Sequence, residues 1–143
     1  MMKVLIQSFS YKRTGYPKDE TGKGGGFVFD CRAIDAYDYS NHVPGARYSH
    51  MHLTGLDDKV ADALNRDTET QEFFLAAWTM VRIDIAKSLR RNIPVITVNF
   101  GCTAGQHRSV YLAEAMARLI KQNYLEVEAE LVHLEKSHWP KGA

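Results

Sequence analysis

Hydrophobic residues fall along the chain in short runs that predict four β-strands. The runs 3–9 (KVLIQSF) and 27–32 (FVFDCR) are rich in apolar and β-branched side chains, as strands are. The run 93–100 (IPVITVNF) is almost continuously apolar, which is typical of a central strand buried in a parallel sheet. Residues 124–134 (YLEVEAELVHL) alternate apolar and polar positions, and this pattern predicts a half-exposed strand at a sheet edge.

Three other segments show the spacing of helices. Residues 56–67 predict a short helix, and 109–123 predict a helix with one apolar face. The longest helical pattern covers 68–91, where Thr68 followed by Gln71 predicts a capping box at the start. Its apolar side chains recur every three or four positions and form one stripe that we assign to the core: Phe74, Trp78, Val81, Ile85 and Leu89.

The order of these elements predicts the fold class. Strands and helices alternate in the second half of the chain, which favours an α/β fold with a mainly parallel sheet flanked by helices. The strand at 93–100, the loop after it and the helix at 109–123 then form a strand–loop–helix unit at the carboxyl edge of the sheet. We expect residues 1–143 to form a single domain. Its end, about 135–143, is predicted to be a loosely ordered tail from which Trp139 can dock on the surface.

Composition narrows the function without defining it. Hydrophobic residues make up 45% and charged residues 24%, and the formal net charge is +1, so no overall charge favours nucleic acid or a membrane. The apolar start fits a strand better than a signal peptide, and no run approaches the about 20 apolar residues of a membrane span. Cys31 and Cys102 then indicate free thiols in a reducing cytoplasm, and a bridge between them stays open. We expect a cytoplasmic protein.

The segment 101–109 (GCTAGQHRS) carries the most specific pattern. Its spacing fits C-x-x-G-x-x-R-S, the phosphate-binding loop of cysteine-dependent phosphatases. A tight loop after a strand aims successive backbone N–H groups at one point, and the next helix adds its positive end. Arg108 offers a planar fork for two phosphoryl oxygens. We therefore predict an anion-binding loop in which the ligand contacts are Gly101, Cys102, Thr103, Ala104, Gly105, Gln106, His107, Arg108 and Ser109.

The same pattern leaves a binding loop and a catalytic loop as alternatives. A cysteine-dependent phosphatase would use Cys102 as nucleophile, Arg108 as phosphoryl clamp and Asp30, at the end of the second strand, as the acid. The motif of such phosphatases has a histidine directly before the cysteine, where this chain has Gly101. Binding alone suffices to explain the loop, so we favour a role without catalysis.

Neighbouring loops supply further candidates. Lys12 follows the first strand and shares the expected rim with the loop, where it can contact a phosphate or a sugar. His107 can donate to a phosphate when protonated, or it can point away and fix the loop. His42, His50 and His52 lie in one loop without the fixed spacing of metal ligands, so we predict no metal site. No cofactor is predicted either.

Several segments together resemble the C-terminal domain of the RNase adapter protein RapZ. The matching stretches, in the order of that family, are SFSYKRTGYP (8–17), FVFDCR (27–32), LTGLD (53–57), TVNFGCTAGQHRSVYLAE (97–114) and LEK (134–136). The central motif G-C-T-x-G-x-H-R-S is specific. Full-length members carry an N-terminal kinase-like domain with a Walker loop, and no such loop occurs here, so we expect a stand-alone version of the C-terminal half.

The resemblance implies a sensor or adapter domain. Domains of this family are implicated in binding glucosamine 6-phosphate, in binding small regulatory RNA and in oligomer formation. The residues that the resemblance assigns to the ligand are Cys102, Thr103, Gly105, His107 and Arg108, with Asp30 and Arg32 on the facing strand end and His42 as a further contact. We expect a sugar phosphate or a nucleotide as ligand and a homo-oligomer as the assembled form.

Small-RNA binding is the remaining alternative. The chain carries only Lys136 and Lys141 as basic residues after Glu135, and Leu131 stands where the family has a histidine before LEK. Contacts with a phosphate backbone need clustered positive charge, so this alternative ranks below a small-molecule ligand.

Overall fold

The structure is a computed structural model, and it describes residues 1–39 and 50–140. Its four strands are β1 (Met2–Ser10), β2 (Phe27–Asp30), β3 (Val95–Cys102) and β4 (Val127–His133). They form one sheet in the order β2-β3-β1-β4, in which all neighbouring strands are parallel. The accompanying helices are α1 (Asp58–Arg66), α2 (Thr68–Arg90) and α3 (Arg108–Asn123). The predicted α/β fold with a mainly parallel sheet is confirmed.

Alternate residues of the central strands form the core. Ile6 of β1 and Phe100 of β3 are fully buried, and they belong to one apolar cluster with residues of α2 and α3. The stripe predicted on α2 lies in this core, where its members are either buried or packed against the buried cluster: Phe74, Trp78, Val81, Ile85 and Leu89. No helix in the described ranges is both long enough and apolar enough to cross a bilayer.

Two strands end at other residues than predicted. β3 continues to Cys102, which pairs with Ser10 of β1, so the cysteine ends a strand instead of lying in a free loop. β2 stops at Asp30, whose carboxylate accepts a hydrogen bond from the backbone N–H of Arg32 and caps a single 3₁₀ turn at Cys31–Ala33. The chain therefore leaves the sheet directly after Asp30. β4 lies at a sheet edge, as predicted.

The start of α2 differs from the predicted capping box. Asp67 is the N-cap residue, and its carboxylate accepts hydrogen bonds from the backbone N–H of Thr70 at 3.0 Å and from its hydroxyl at 2.6 Å. Gln71 does not reach back to Thr68 but donates to the hydroxyl of Tyr111 on α3. A carboxylate at this position both caps the helix and interacts with its positive end, so Asp67 takes the place predicted for Thr68.

The segment after β4 is packed, in contrast to the loose tail expected from about residue 135. Glu135 is fully buried, and Lys136–His138 form a 3₁₀ turn. The indole of Trp139 reaches the loop that follows β3. Two residues of this segment, Glu135 and Trp139, therefore contact the loop after β3. Residues 141–143 lie outside the described part of the chain.

Candidate anion-binding site

A cavity of about 250 Å³ opens at the carboxyl edge of the sheet, where the chain passes from β3 into α3. Parallel strands bring their carboxyl ends to one edge, which is where open α/β sheets bind ligands. The residues that line the cavity are Lys12, Tyr37, Asp38, Tyr39, Met51, Cys102, Thr103, Ala104, Gln106, His107 and Arg108. Six of the nine residues predicted from segment 101–109 are among them, and so is Lys12.

The backbone carbonyls of the loop are held by groups outside this cavity. The carbonyl of Cys102 accepts from the N–H of Tyr11 at 3.0 Å, and that of Thr103 accepts from the hydroxyl of Ser10 at 2.7 Å. The carbonyl of Gly105 accepts from the indole of Trp139 at 2.9 Å, and that of Gln106 from the N–H of Gly55 at 2.8 Å. These four donors fix the orientation of the loop peptides.

The orientation of the carbonyls determines where the N–H groups point. In a trans peptide the C=O and the following N–H lie on opposite sides, and the described chain contains no cis peptide. The N–H groups of Thr103, Ala104, Gln106 and His107 therefore point away from these four donors, and all four residues line the cavity. No described residue accepts a hydrogen bond from any of them. Successive N–H groups without a protein acceptor, followed by the start of a helix, are the feature by which such loops bind anions.

Two glycines allow the chain to follow this path. Gly105 has a φ of +65°, and a Cβ there would lie 2.7 Å from Cγ of Glu135. Gly101 lies in β3 outside the cavity lining, and a Cβ there would overlap the rings of Phe9 and Tyr11. Gly101, which the sequence predicted as a ligand contact, therefore makes room for aromatic packing and lies outside the cavity lining.

Arg108 is the most deeply buried charged side chain of the cavity lining. Its side chain is almost completely buried, and one guanidinium nitrogen donates to the carbonyl of Ile34 at 2.6 Å. No carboxylate in the described ranges lies within ion-pair distance of it. A guanidinium has five N–H donors, so donors remain for a ligand. Because burial of an uncompensated positive charge is costly, the buried guanidinium of Arg108 favours an anionic ligand.

Cys102 contributes a thiol to the cavity wall. Its sulfur lies 3.0 Å from the hydroxyl oxygen of Ser109, which is buried behind it at the start of α3 and does not line the cavity. Ser109, which the sequence predicted as a ligand contact, thus contacts Cys102 from outside the cavity lining. Cys31 is also buried, and both thiols are free.

The side chains of Gln106 and His107 bind the polypeptide that covers the cavity. The amide of Gln106 donates to the carbonyls of Met51 and Leu53, each at 2.7 Å. Nε2 of His107 lies 3.1 Å from the carbonyl oxygen of His50. Burial lowers the pKa of His107, so the neutral ring is favoured. Of the two roles that the sequence left open for His107, this geometry favours fixing the loop.

Asp30 and Arg32 form a pair outside the cavity lining. Nε and one terminal nitrogen of Arg32 donate to the two oxygens of Asp30 at 2.8 and 2.7 Å, and the guanidinium lies 3.7 Å from the ring centre of Tyr11. These hydrogen bonds from Arg32, with the charge of Arg108, hold the pKa of Asp30 below its usual range. A carboxylate that is ionised and accepts two side-chain hydrogen bonds from Arg32 is poorly suited to protonate a leaving group.

The opposite wall of the cavity was missed in the sequence. It consists of Tyr37, Asp38, Tyr39 and Met51, which lie in an irregular stretch without a motif. The proposed contact His42 lies outside the described residues. Within the described ranges, no group of three or more histidine, cysteine, aspartate and glutamate side chains is arranged to hold a metal ion.

The fold and this geometry define a parallel α/β domain whose cavity is built on the strand–loop–helix unit of β3 and α3. A family model described as the RapZ C-terminal domain matches residues 2–136. The chain belongs to this family.

Relatives of this chain carry the name nucleotide-binding protein. One from Acidithiobacillus ferrooxidans is 37% identical over 117 residues, which cover 82% of this chain and 35% of the relative. One from Thermotoga neapolitana is 32% identical over 133 residues, or 93% of this chain and 43% of the relative. One from a Shewanella species is 38% identical over 135 residues, or 94% and 42%. The chain spans less than half the length of these curated relatives.

Proposed function

We propose that this domain binds a phosphorylated small molecule and acts as a sensor or adapter. The ligand class is a sugar phosphate such as glucosamine 6-phosphate, or a nucleotide. The proposal depends above all on one observation. In the part of the chain that the structure describes, no residue accepts from the N–H groups of the cavity-lining residues 103, 104, 106 and 107, which lie beside the buried guanidinium of Arg108. The name nucleotide-binding protein of the relatives supports the same class of ligand.

The physical advantage of this site is that its donors are oriented before the ligand arrives. Hydrogen bonds to a charged group contribute roughly 1.5–3 kcal/mol each, and a phosphoryl group offers three oxygens to the loop N–H groups and Arg108. Lys12 adds a second cation at the rim. The four external donors to the loop carbonyls keep the N–H groups in place, so little ordering cost remains on binding.

The size of the cavity favours a small ligand. Its volume of about 250 Å³ is below the roughly 300–1,000 Å³ of most ligand pockets, so a hexose phosphate fits better than a dinucleotide. Tyr37 and Tyr39 supply apolar ring surface on the facing wall, and Asp38 is an acceptor for hydroxyl or ammonium groups. These features favour an amino-sugar phosphate within the proposed class. RNA binding and a homo-oligomer stay predictions from the resemblance.

Thermal-shift titration tests the proposal. Glucosamine 6-phosphate, glucose 6-phosphate and AMP are titrated beside glucosamine and glucose, which lack the phosphate. Ligand at 100 times its Kd adds about 2.7 kcal/mol to the free energy of unfolding, so the phosphorylated compounds should raise the Tm and the free sugars should not.

Variants locate the response. Arg108→Ala should abolish the rise in Tm, and Lys12→Ala, a change at the rim, should reduce it. Arg82→Ala, at an exposed position of α2, is the matched loss of one cation and should leave the response unchanged. An equal response in Arg108→Ala and in the unmodified protein would refute the assignment, as would no response to any phosphorylated compound.

A further inference from the structure

The two cysteines of the chain occupy neighbouring positions on adjacent strand ends. β2 and β3 pair in parallel with Asp30 opposite Gly101, so Cys31 and Cys102 each follow one member of the last pair. Side chains alternate between the two faces of a sheet, and the core pair Phe29 and Phe100 precedes by two positions. Cys102 therefore faces the core side, and Cys31, the first residue after β2, is buried in the same apolar cluster.

The spacing of strands matches the reach of a disulfide. Neighbouring strands lie about 4.8 Å apart, and bridged cysteines have Cα atoms about 4.4–6.8 Å apart. Cys31 begins the 3₁₀ turn after β2, so it is not held by a further ladder pair and can adjust. Burial is the main cause that raises the pKa of Cys31. A negative charge on Cys102 raises this pKa further, so the two thiols also interact electrostatically.

Access to the two thiols is unequal. Cys102 lines the cavity, whereas Cys31 is fully buried and its sulfur donates to the carbonyl of Phe29, at 3.6 Å. A small oxidant that enters the cavity thus meets Cys102 first, beside the N–H groups of the loop. The burial that raises the pKa of Cys31 makes it inert toward solvent oxidants. This order is that of a reacting and a resolving cysteine.

We propose that Cys102 and Cys31 form a reversible, peroxide-driven disulfide that controls the anion site. The control of binding depends on the function proposed above, whereas formation of the bond does not. Hydrogen peroxide is the oxidant.

The reaction balances in two steps. The Cys102 thiolate attacks one oxygen of hydrogen peroxide, the O–O bond breaks, and the other oxygen leaves as water after taking up a proton. Cys102 is then a sulfenic acid. The Cys31 sulfur attacks the Cys102 sulfur, the S–O bond breaks, and the hydroxyl leaves as a second water with the proton of Cys31. Two thiols are oxidised by two electrons in all, and one peroxide is reduced to two waters.

The bond changes the base of the loop. A Cys102 sulfur bonded to Cys31 has no proton to donate and is drawn toward β2, which weakens its contact of 3.0 Å with the hydroxyl of Ser109 at the start of α3. The peptide that follows Cys102 carries the N–H of Thr103, the first donor of the site. Turning Cys102 toward β2 shifts this donor relative to Arg108, so the oxidised protein binds a phosphorylated ligand less tightly.

Mass spectrometry tests the chemistry without any ligand. The reduced, folded protein is treated with hydrogen peroxide, quenched and digested without reductant. The expected result is a loss of two hydrogen atoms and a cross-linked peptide pair that contains Cys31 and Cys102. In Cys31→Ala, dimedone should trap a sulfenic acid on Cys102, and excess peroxide should carry it to the sulfinic acid. In Cys102→Ala, Cys31 should stay a thiol.

Thermal-shift titration with glucosamine 6-phosphate tests the control of binding. Peroxide should reduce the response of the unmodified protein at least tenfold in ligand concentration, and dithiothreitol should restore it. After excess peroxide, Cys31→Ala should not recover with dithiothreitol, because a sulfinic acid is not reduced by thiols.

Each result bears on one proposal. Absence of the cross-linked pair, or equal recovery of Cys31→Ala and the unmodified protein, would overturn the disulfide. A cross-link in a protein whose reduced form shows no response to any phosphorylated ligand would support the disulfide and refute the binding function. A cross-linked protein with unchanged ligand response would overturn the control of binding.

Discussion

The indole nitrogen of Trp139 donates a hydrogen bond to the backbone carbonyl oxygen of Gly105, 2.9 Å away. This contact joins the segment after β4 to the loop that follows β3. It also fixes the peptide that carries the N–H of Gln106, a residue of the cavity lining. The aromatic side chain near the end of the described chain is thus part of the support of the proposed anion site.

Trp139→Phe keeps an aromatic ring but removes this donor. We expect the free energy of unfolding to fall by about 0.5–1.5 kcal/mol, the contribution of one hydrogen bond, and the affinity for a phosphorylated ligand to fall with it. Urea denaturation and thermal-shift titration measure the two effects. His138→Ala changes an exposed neighbour and serves as control. A Phe variant with unaltered ligand affinity would show that the loop keeps its shape without the indole.

Gly105→Ala should destabilise the protein more than Gly22→Ala. Both glycines have a φ in the left-handed region, +65° and +79°, where an alanine costs about 1 kcal/mol or more. Only at Gly105 does a Cβ also meet close atoms, Cγ of Glu135 at 2.7 Å, whereas nothing lies within 4 Å at Gly22. Denaturant unfolding of the two variants isolates the effect of this contact. A Cβ at Gly105 also lies 3.0–3.1 Å from the backbone of Phe9, so equal losses of stability would mean that both Glu135 and this backbone move aside freely.

The stability of the fold should fall as the pH is lowered from about 7 to 5. Burial lowers the pKa of His107, and burial also lowers that of His133 against the opposing hydrogen bond with Glu114. An unfolded histidine titrates near pH 6.5, so below that pH the unfolded chain binds more protons than the folded one. The stabilisation is complete above pH 6.5 and is lost toward the lower folded pKa values.

Denaturant unfolding at several pH values measures this slope. His107→Gln removes one of the two groups and should flatten the dependence between pH 7 and 5. The carboxylates of Asp19 and Asp30, whose pKa values are also lowered, act only in a more acidic range, so they do not mask the effect. A slope that His107→Gln leaves intact would assign the whole effect to His133.

Hydrolysis of p-nitrophenyl phosphate should be absent. The acid proposed from the sequence, Asp30, is ionised, bonded to Arg32 and outside the cavity lining, so the leaving group lacks its proton donor. A colorimetric assay of the unmodified protein, with Cys102→Ser as control, measures this. Turnover that disappears in Cys102→Ser would establish the phosphatase alternative, and Asp38 would then be the carboxylate to mutate next.

The part of the site that could be predicted is encoded within one continuous segment. A strand–loop–helix unit is determined by residues close together in the sequence. Its residues therefore predicted the strand β3, the glycine of the loop and the position of Arg108 at the start of α3. The alternation of β4 likewise predicted its edge position. The N-cap of α2 is also determined locally. Asp67 and Thr68 are both acceptable N-cap residues, so the sequence-based prediction missed the actual cap by one position.

The rest of the site depends on contacts between distant parts of the chain. Tyr37 and Met51 reach the cavity from a stretch without periodicity, and Gln106 and His107 hold that stretch through backbone carbonyls, which carry no residue-specific pattern. The burial of Glu135 likewise follows from its contact with Gly105 across the sheet edge. Charged, short segments after a last strand resemble frayed ends in sequence, and only tertiary packing distinguishes the two.

The strand order β2-β3-β1-β4 has a consequence for folding during translation. β1 is the first of these strands to be translated, yet its two neighbours, β3 and β4, are translated much later. An apolar segment with Val4 and Ile6 at its centre therefore emerges long before its partners exist. Such late, long-range pairing slows folding and exposes the nascent chain to aggregation. A chaperone that binds this segment until translation is nearly complete would reduce that aggregation.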